Sequence, residues 1–250
     1  IKISGSDILY NQIIIKNQMM QFLYTIFSYL KSFFIQSPDI LKNIFIIIFT
    51  EEKPSVTNLQ NTSLLSWLTI ARPQTQKDGV LFIFHYENKM VKDAILRIKN
   101  KHDILLAKNL VAILADFLLE ELSEKETIEN FSLPLVVAIP SDPKRERSRG
   151  FNPSELIAQT LCNTIDTLTF MPHALIKIKE TKPQKELSRN ERLTNVKRSM
   201  TTNQKIRENL KDRCIIVVDD ITTTGATLSE AKRALLAGGA KKVMCVALVH

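Results

Sequence analysis

Two adjacent carboxylates, Asp219 and Asp220, stand between an apolar run and a loop rich in hydroxyl groups. The run before them is short and β-branched, which is typical of a strand buried on both faces. After the loop a helical pattern begins near Ala226 and stops at Gly238-Gly239. Small residues allow backbone N–H groups to turn toward an anion, and the helix directs its positive dipole end to the same place. The pattern predicts a cup for a phosphate monoester, formed by Thr223, Thr224, Gly225, Ala226 and Thr227.

The paired carboxylates would repel that phosphate, so they are expected to face another part of the ligand. Ribose hydroxyls, or a Mg²⁺ ion that bridges to the sugar, are natural partners for such a pair. Asp219 and Asp220 are therefore the candidate catalytic and metal-binding residues of a ribose 5-phosphate site at the carboxyl end of a parallel strand. The plainer alternative is an ordinary buried strand followed by a loop that is merely rich in Asp and Thr. The loop lacks the Gly-Lys-Ser/Thr ending of a P-loop.

A second stretch repeats the order of strand, loop and helix start. The apolar run 133–140 predicts a strand, and residues 141–152 predict a strongly basic loop bounded by proline and glycine. Asn152 is the expected N-cap of the next helix, with Pro153 in its first position. Such a loop suits a pyrophosphate group, although a charged run is often only a solvated face. The four basic side chains of this loop are those of Lys144, Arg145, Arg147 and Arg149.

The remaining pattern predicts an α/β fold that positions both loops at one sheet edge. Further strands are expected over 79–86, 174–179 and 242–249, and helices over about 90–98 and 103–122. The acidic residues 120–129 predict a surface connection, and residues 205–213 a basic one. The polar segment 180–188 suggests a flap that closes over a substrate and excludes water.

Residues 1–75 predict an N-terminal helical region and linker, and residues 76–250 the main domain. No apolar run in the first part is long enough to span a membrane, and no signal peptide is evident; a membrane-surface helix remains an alternative. The net charge of +8 favours a polyanionic ligand. Three widely separated cysteines predict a reducing, cytoplasmic location. The chain begins with Ile1 rather than Met, which is compatible with a fragment.

Four segments, in the same order, make residues 79–250 resemble the ComF family of phosphoribosyltransferase-like proteins, which is linked to bacterial DNA uptake. The Arg-Gly-Phe-Asn sequence at 149–152 carries the most family-specific part of the resemblance. The chain departs from the family pattern in having no zinc-binding cysteine cluster in residues 1–75, Lys177 and Lys179 at positions where arginine is usual, and Thr222 at a position that is more often apolar. The four similar segments are Tyr86 to Lys99, Ile139 to Asn152, Thr181 to Val196, and Val217 to Thr227.

The resemblance implies the fold of a type I phosphoribosyltransferase, a mostly parallel sheet flanked by helices. It implies a Mg²⁺-dependent transfer of ribose 5-phosphate from phosphoribosyl pyrophosphate to a nitrogen nucleophile. It assigns the pyrophosphate to a set of candidate ligands, namely Ser141, Lys144, Arg145, Arg147 and Arg149. It also adds weaker candidate ligands from the flap region, namely Lys177, Lys179, Gln184 and Arg192. Two other functions remain open: a non-catalytic protein that binds single-stranded DNA alongside competence-machinery proteins, and a sensor of phosphoribosyl pyrophosphate.

Overall fold

A mostly parallel sheet forms the centre of the chain in the computed structural model, which describes residues 67, 68, 70–75, 79–179 and 196–250. The sheet has the order β1-β2-β8-β7-β3-β4, and only β1 runs antiparallel to its neighbour. A separate antiparallel pair is formed by β5 and β6. The strands are β1 (Gln74–Thr75), β2 (Val80–Phe82), β3 (Leu135–Ala138), β4 (Thr169–Phe170), β5 (Leu175–Lys177), β6 (Met200–Thr202), β7 (Cys214–Ile221) and β8 (Lys242–Val249).

Helices connect the parallel strands and cover both faces of the sheet. Side chains of Asn88, Asp103 and Asn152 accept backbone N–H bonds at the starts of the first, second and fourth helices. Asn152 and Pro153 thus take the cap and first positions that the sequence predicts. The described helices are α1 (Lys89–Lys101), α2 (Ile104–Glu129), α3 (Pro143–Arg149), α4 (Pro153–Thr164), α5 (Arg207–Leu210) and α6 (Ala226–Ala237).

Strand β7 is buried on both faces, as its unbroken apolar run predicts. Ile216 and Val218 join the hydrophobic cluster that contains the buried faces of α1, α2 and α4. Ile215 and Val217 point the other way, into the cluster with α6. Because β7 also pairs with β3 and β8, the strand is fixed by hydrogen bonds along both edges and by apolar packing on both faces.

Three local predictions were wrong, each because a helix forms where the sequence predicts a loop or a connection. Residues 120–129 continue α2 instead of forming a connection. The basic loop contains α3, since Asp142 caps its start and Gly150, at φ 81°, ends it. Part of the predicted connection 205–213 forms α5. Strand β7, by contrast, ends just after the two acids as predicted, at Ile221, which pairs with Val249 of β8.

The described part of the main domain starts before residue 76. Trp67 is fully buried and packs edge-on against Phe84, and β1 pairs with β2. Residues 1–66 and 69 of the proposed N-terminal region fall outside the described residues. No helix within the described ranges has the length and hydropathy of a membrane span.

The end of α6 packs so closely on β6 that Gly238 has no room for a side chain. A Cβ atom at this position would lie 2.4 Å from Cγ2 and 2.8 Å from Oγ1 of Thr202. We therefore expect Gly238→Ala to lower the free energy of unfolding by roughly 1–3 kcal/mol, measured by urea denaturation. The exposed Ala237→Ser is the control, and adding Thr202→Ala to Gly238→Ala should restore part of the loss. Equal stability of Gly238→Ala and the wild type would contradict this packing.

Candidate functional site

The two predicted pockets lie at the same sheet edge, because β3 and β7 are parallel neighbours. Asn152, between α3 and α4, donates its side-chain Nδ2 to the carbonyl of Ile139 just beyond β3, at 2.9 Å. One residue into α4, the Ser154 hydroxyl donates to Oδ1 of Asp219 at 2.9 Å. The end of β7 is thus bonded directly to the segment that follows the basic helix.

Asp219 and Asp220 sit in fixed and different surroundings. Asp219 also accepts the backbone N–H of Asp220 at 2.9 Å, and Asp220 accepts that of Ile221 at 2.7 Å. The second oxygen of Asp220 lies 3.0 Å from Nζ of Lys99, on the last turn of α1. Both acids are buried, with 9 % and 8 % of their surface exposed. The pair is therefore preoriented by hydrogen bonds and by one ion pair.

Burial, and then the charge of Asp220, raise the pKa of Asp219 to about 7. Lys99, the Ser154 hydroxyl and the N–H of Asp220 act against this rise. The raised pKa is what two carboxylates held side by side in a poorly solvated position require.

This raised pKa predicts that the ligand-free protein becomes less stable as the pH rises from 3.8 to about 7. The folded protein binds the Asp219 proton more tightly than the unfolded chain, whose value is 3.8. The resulting stabilisation is complete below that value and is lost as pH passes the folded pKa. At about pH 8 we expect the free energy of unfolding of Asp219→Asn to exceed that of the wild type by on the order of 1–3 kcal/mol. At about pH 5 the difference should be much smaller.

Urea denaturation at both pH values measures this difference. The exposed Asp166, which lies before the amino end of β4, provides the matched control Asp166→Asn. An Asp219→Asn effect of the same size at both pH values would contradict the prediction.

The loop after β7, where the sequence predicts an anion cup, ends in a left-handed glycine at the start of α6. Gly225 adopts φ 70°, a left-handed conformation that glycine tolerates best, and α6 begins immediately after it. No side chain caps α6, so its first N–H groups face the loop without that partner. Thr223 is exposed, Thr224 and Thr227 are half-buried, and Gly225 and Ala226 are buried. The ring Nε2 of His250 lies 2.8 Å from the carbonyl oxygen of Thr223, within hydrogen-bond distance, and so links the loop to the residue that follows β8.

The helix α3, which follows β3, carries most of the predicted pyrophosphate cations on exposed positions. Lys144, Arg145 and Arg147 are exposed, and Arg149 and Ser141 are half-buried. The Phe151 ring, just after α3, stacks on His102 with ring centroids 4.1 Å apart. The α1–α2 corner therefore packs against the segment between α3 and α4.

The structure brings Lys177 to α3 and leaves Lys179 at the surface. Burial lowers the pKa of Lys177, while the Asp142 charge raises it and the Arg145 charge lowers it, so these three side chains share one locality. Lys179 is exposed. Gln184 and Arg192, together with the expected flap over 180–188, lie outside the described residues.

Sequence reasoning missed Ser154 and Lys99 as members of this site. Ser154 had a readable signal, because it occupies the first turn of a helix that starts at the carboxyl edge of the sheet. Lys99 ends one of the four segments similar to the ComF family, but sequence reasoning assigned it no role, since its contact with Asp220 depends on how α1 packs against the sheet.

The acid pair fits a Mg²⁺ ion that is bound together with a ligand. No group of three or more His, Cys, Asp or Glu side chains forms a metal cluster within the described residues. Mg²⁺ commonly uses one or two protein carboxylates and completes its shell with water and substrate oxygens. Asp219 and Asp220 meet that requirement, and a complete protein cage is not needed.

Comparison with known proteins points to one family. Residues 148–250 match the family model of the phosphoribosyl transferase domain. Competence protein ComFC of Streptococcus pneumoniae is 32 % identical over 173 residues, which cover 67 % of this chain and 66 % of the relative. ComFC of Bacillus subtilis is 33 % identical over 152 residues, 61 % of this chain and 56 % of the relative. DNA utilization protein YhgH of Salmonella typhimurium is 29 % identical over 135 residues, which cover 54 % of this chain and 57 % of the relative.

The chain thus spans between about half and two thirds of the length of these relatives. Among solved structures, it is similar to an L. donovani hypoxanthine-guanine phosphoribosyl transferase, with a TM-score of 0.35 and 13 % identity over 58 % of this chain and 71 % of the other. An allosteric regulatory enzyme of purine biosynthesis gives a TM-score of 0.33 and 17 % identity over 56 % of this chain and 25 % of the other.

Proposed function

Because this chain belongs to the ComF family of phosphoribosyltransferase-like proteins, we propose that its site binds phosphoribosyl pyrophosphate together with Mg²⁺. Its fold is the mostly parallel sheet of type I phosphoribosyltransferases, flanked by helices. One observation carries the proposal: Asp219, which precedes the uncapped start of α6, is hydrogen-bonded to Ser154, which follows the basic helix α3.

Each part of the ligand has a matching part of the site. The α6 cup suits the 5-phosphate, because backbone N–H groups and the helix dipole favour an anion there. The acids suit the ribose hydroxyls, directly or through Mg²⁺, whose charge would also help to neutralise the phosphates. The cations on and near α3 suit the pyrophosphate. The proposed pyrophosphate ligands are Ser141, Lys144, Arg145, Arg147, Arg149 and Lys177, with Lys179, Gln184 and Arg192 as weaker candidates.

The reaction we propose is transfer of ribose 5-phosphate to a nitrogen nucleophile. The bond from the anomeric carbon to pyrophosphate breaks, and pyrophosphate leaves with the electron pair. The nitrogen lone pair forms the new bond to the same carbon, and the nitrogen loses a proton. The sugar passes through an oxocarbenium-like state, so the residues act by holding the groups in line and by stabilising the leaving anion.

A second candidate function is binding of single-stranded DNA in company with competence-machinery proteins. The exposed cations of α3 favour it, as do the printed names of the relatives, competence protein and DNA utilization protein. Against it, Phe151 is the aromatic residue next to α3, and His102 already covers one face of its ring.

Three free cysteines agree with the proposed cytoplasmic location, where either ligand occurs.

Calorimetric titration separates the two functions. We expect saturable binding of phosphoribosyl pyrophosphate that depends on Mg²⁺ and exceeds the binding of ribose 5-phosphate. A mixed-sequence single-stranded oligonucleotide should bind weakly and lose affinity steeply as salt rises. Tight oligonucleotide binding without any sugar-phosphate binding would overturn the proposal. Release of pyrophosphate with a panel of nitrogen bases then distinguishes an enzyme from a sensor.

A further inference from the structure

Lys99 carries a positive charge directly into the acid pair. Its Nζ lies 3.0 Å from Oδ2 of Asp220, and the two side chains are only 19 % and 12 % exposed. The Lys99 charge also acts on Asp219, whose pKa it lowers. The cation is therefore set among the two carboxylates that the proposed function assigns to the metal and the sugar.

The corner that presents Lys99 is held in place by separate contacts. Arg97 and Asp103 form an ion pair at 2.8 Å across the end of α1, and Asp103 caps α2. His102, the C-cap of α1, stacks on Phe151. These contacts fix the backbone on both flanks of Lys99 and so direct its side chain toward Asp220.

A half-buried ion pair of this kind has a consequence for a divalent cation. Two unit charges about 4 Å apart interact strongly at the effective dielectric constant of a protein edge. A metal ion that approaches the acids alone meets a like charge and must compete for Asp220. A metal ion that arrives with a polyphosphate brings compensating negative charge, which the lysine attracts.

We propose that Lys99 is a positioning residue that acts as the resident counter-ion of the acid pair. It weakens binding of free divalent metal and favours entry of the metal together with an anionic sugar phosphate. The second half of this statement rests on the proposed function, whereas the first half concerns the chain and the metal alone.

The test compares two ligands whose responses should have opposite signs. Binding of Mn²⁺ alone, followed by electron paramagnetic resonance at about pH 8, should become at least about tenfold tighter in Lys99→Met. Binding of phosphoribosyl pyrophosphate with Mg²⁺, followed by calorimetry, should become at least about tenfold weaker in the same variant. If Lys99 only supported the fold, its replacement would not tighten metal binding.

Two further variants control for charge and for position. Lys99→Arg keeps the positive charge and should bind Mn²⁺ within about threefold of the wild type. Lys101→Met removes an exposed lysine from the same helical turn and should change neither ligand. Thermal unfolding checks that each variant folds, and Lys99→Gln replaces Lys99→Met if the latter does not.

The two proposals fail in different ways. If the wild type binds no phosphoribosyl pyrophosphate while Lys99→Met still gains Mn²⁺ affinity, the proposed function fails and the counter-ion role stands. If the wild type binds phosphoribosyl pyrophosphate and Lys99→Met leaves Mn²⁺ affinity unchanged, the counter-ion role is overturned. Tighter Mn²⁺ binding without weaker sugar-phosphate binding overturns the joint-entry half of the role.

Discussion

Replacing Asp219 and Asp220 together by Asn is expected to weaken binding of phosphoribosyl pyrophosphate with Mg²⁺ by at least about a hundredfold. Each carboxylate supplies charge-assisted contacts, which contribute about 1.5–3 kcal/mol apiece. Asn keeps the shape of the side chain but not the charge that Mg²⁺ and the ribose hydroxyls require. Calorimetric titration measures the loss.

A matched variant shows whether the effect belongs to the site. Asp166 and Asp212 are exposed carboxylates that precede β4 and β7, at the opposite edge of the sheet. Asp166→Asn/Asp212→Asn makes the same change in net charge and should bind the ligand as the wild type does. If the two double variants lose affinity equally, the acids at the end of β7 have no special role.

The second large effect is expected from Arg145→Ala/Lys177→Met. We expect the affinity for phosphoribosyl pyrophosphate to fall by about tenfold to a hundredfold, because two cations would no longer face the pyrophosphate. Ribose 5-phosphate lacks that group, so its affinity should stay within about twofold. The comparison of the two ligands, measured by calorimetry, isolates the pyrophosphate contribution.

The control for this pair removes two exposed lysines from the amino edge of the sheet. Lys211 and Lys241 stand before β7 and β8 and are both exposed. Lys211→Ala/Lys241→Ala lowers the net charge by the same amount and should bind both ligands normally. If Arg145→Ala/Lys177→Met weakened ribose 5-phosphate as much as phosphoribosyl pyrophosphate, these cations would not be specific to the pyrophosphate.

Sequence patterns predicted the elements around β7 well, for a physical reason. A buried parallel strand has to be apolar on both faces, and a pair of glycines such as Gly238-Gly239 ends a helix. The sequence pattern therefore marks the bounds of both elements. The same reasoning failed at α3, whose seven residues are too few to show a helical period. Its end signals, Asp142 and Gly150, were present but are equally common in loops.

The site was harder to predict than the elements that build it. The two loops could be placed at one sheet edge, because parallel strands bring their carboxyl ends together. The bond from Ser154 to Asp219 spans 65 positions in the sequence, and its existence depends on strand order and helix placement. Lys99 reaches Asp220 only because α1 packs on the same face of the sheet as α4.

The placement of the acids inside a strand has a consequence for the thermodynamics of ligand capture. Asp219 pairs with Ala247 and Ile221 with Val249, while Ile139 donates its N–H to Val218 on the other side. Backbone with two paired neighbours in a buried sheet belongs to the slowest-exchanging part of a protein. The carboxylates are therefore already ordered before any ligand arrives, and little conformational entropy is lost at this point on association. Affinity at the end of β7 should accordingly depend on charge and desolvation far more than on any rearrangement of the chain.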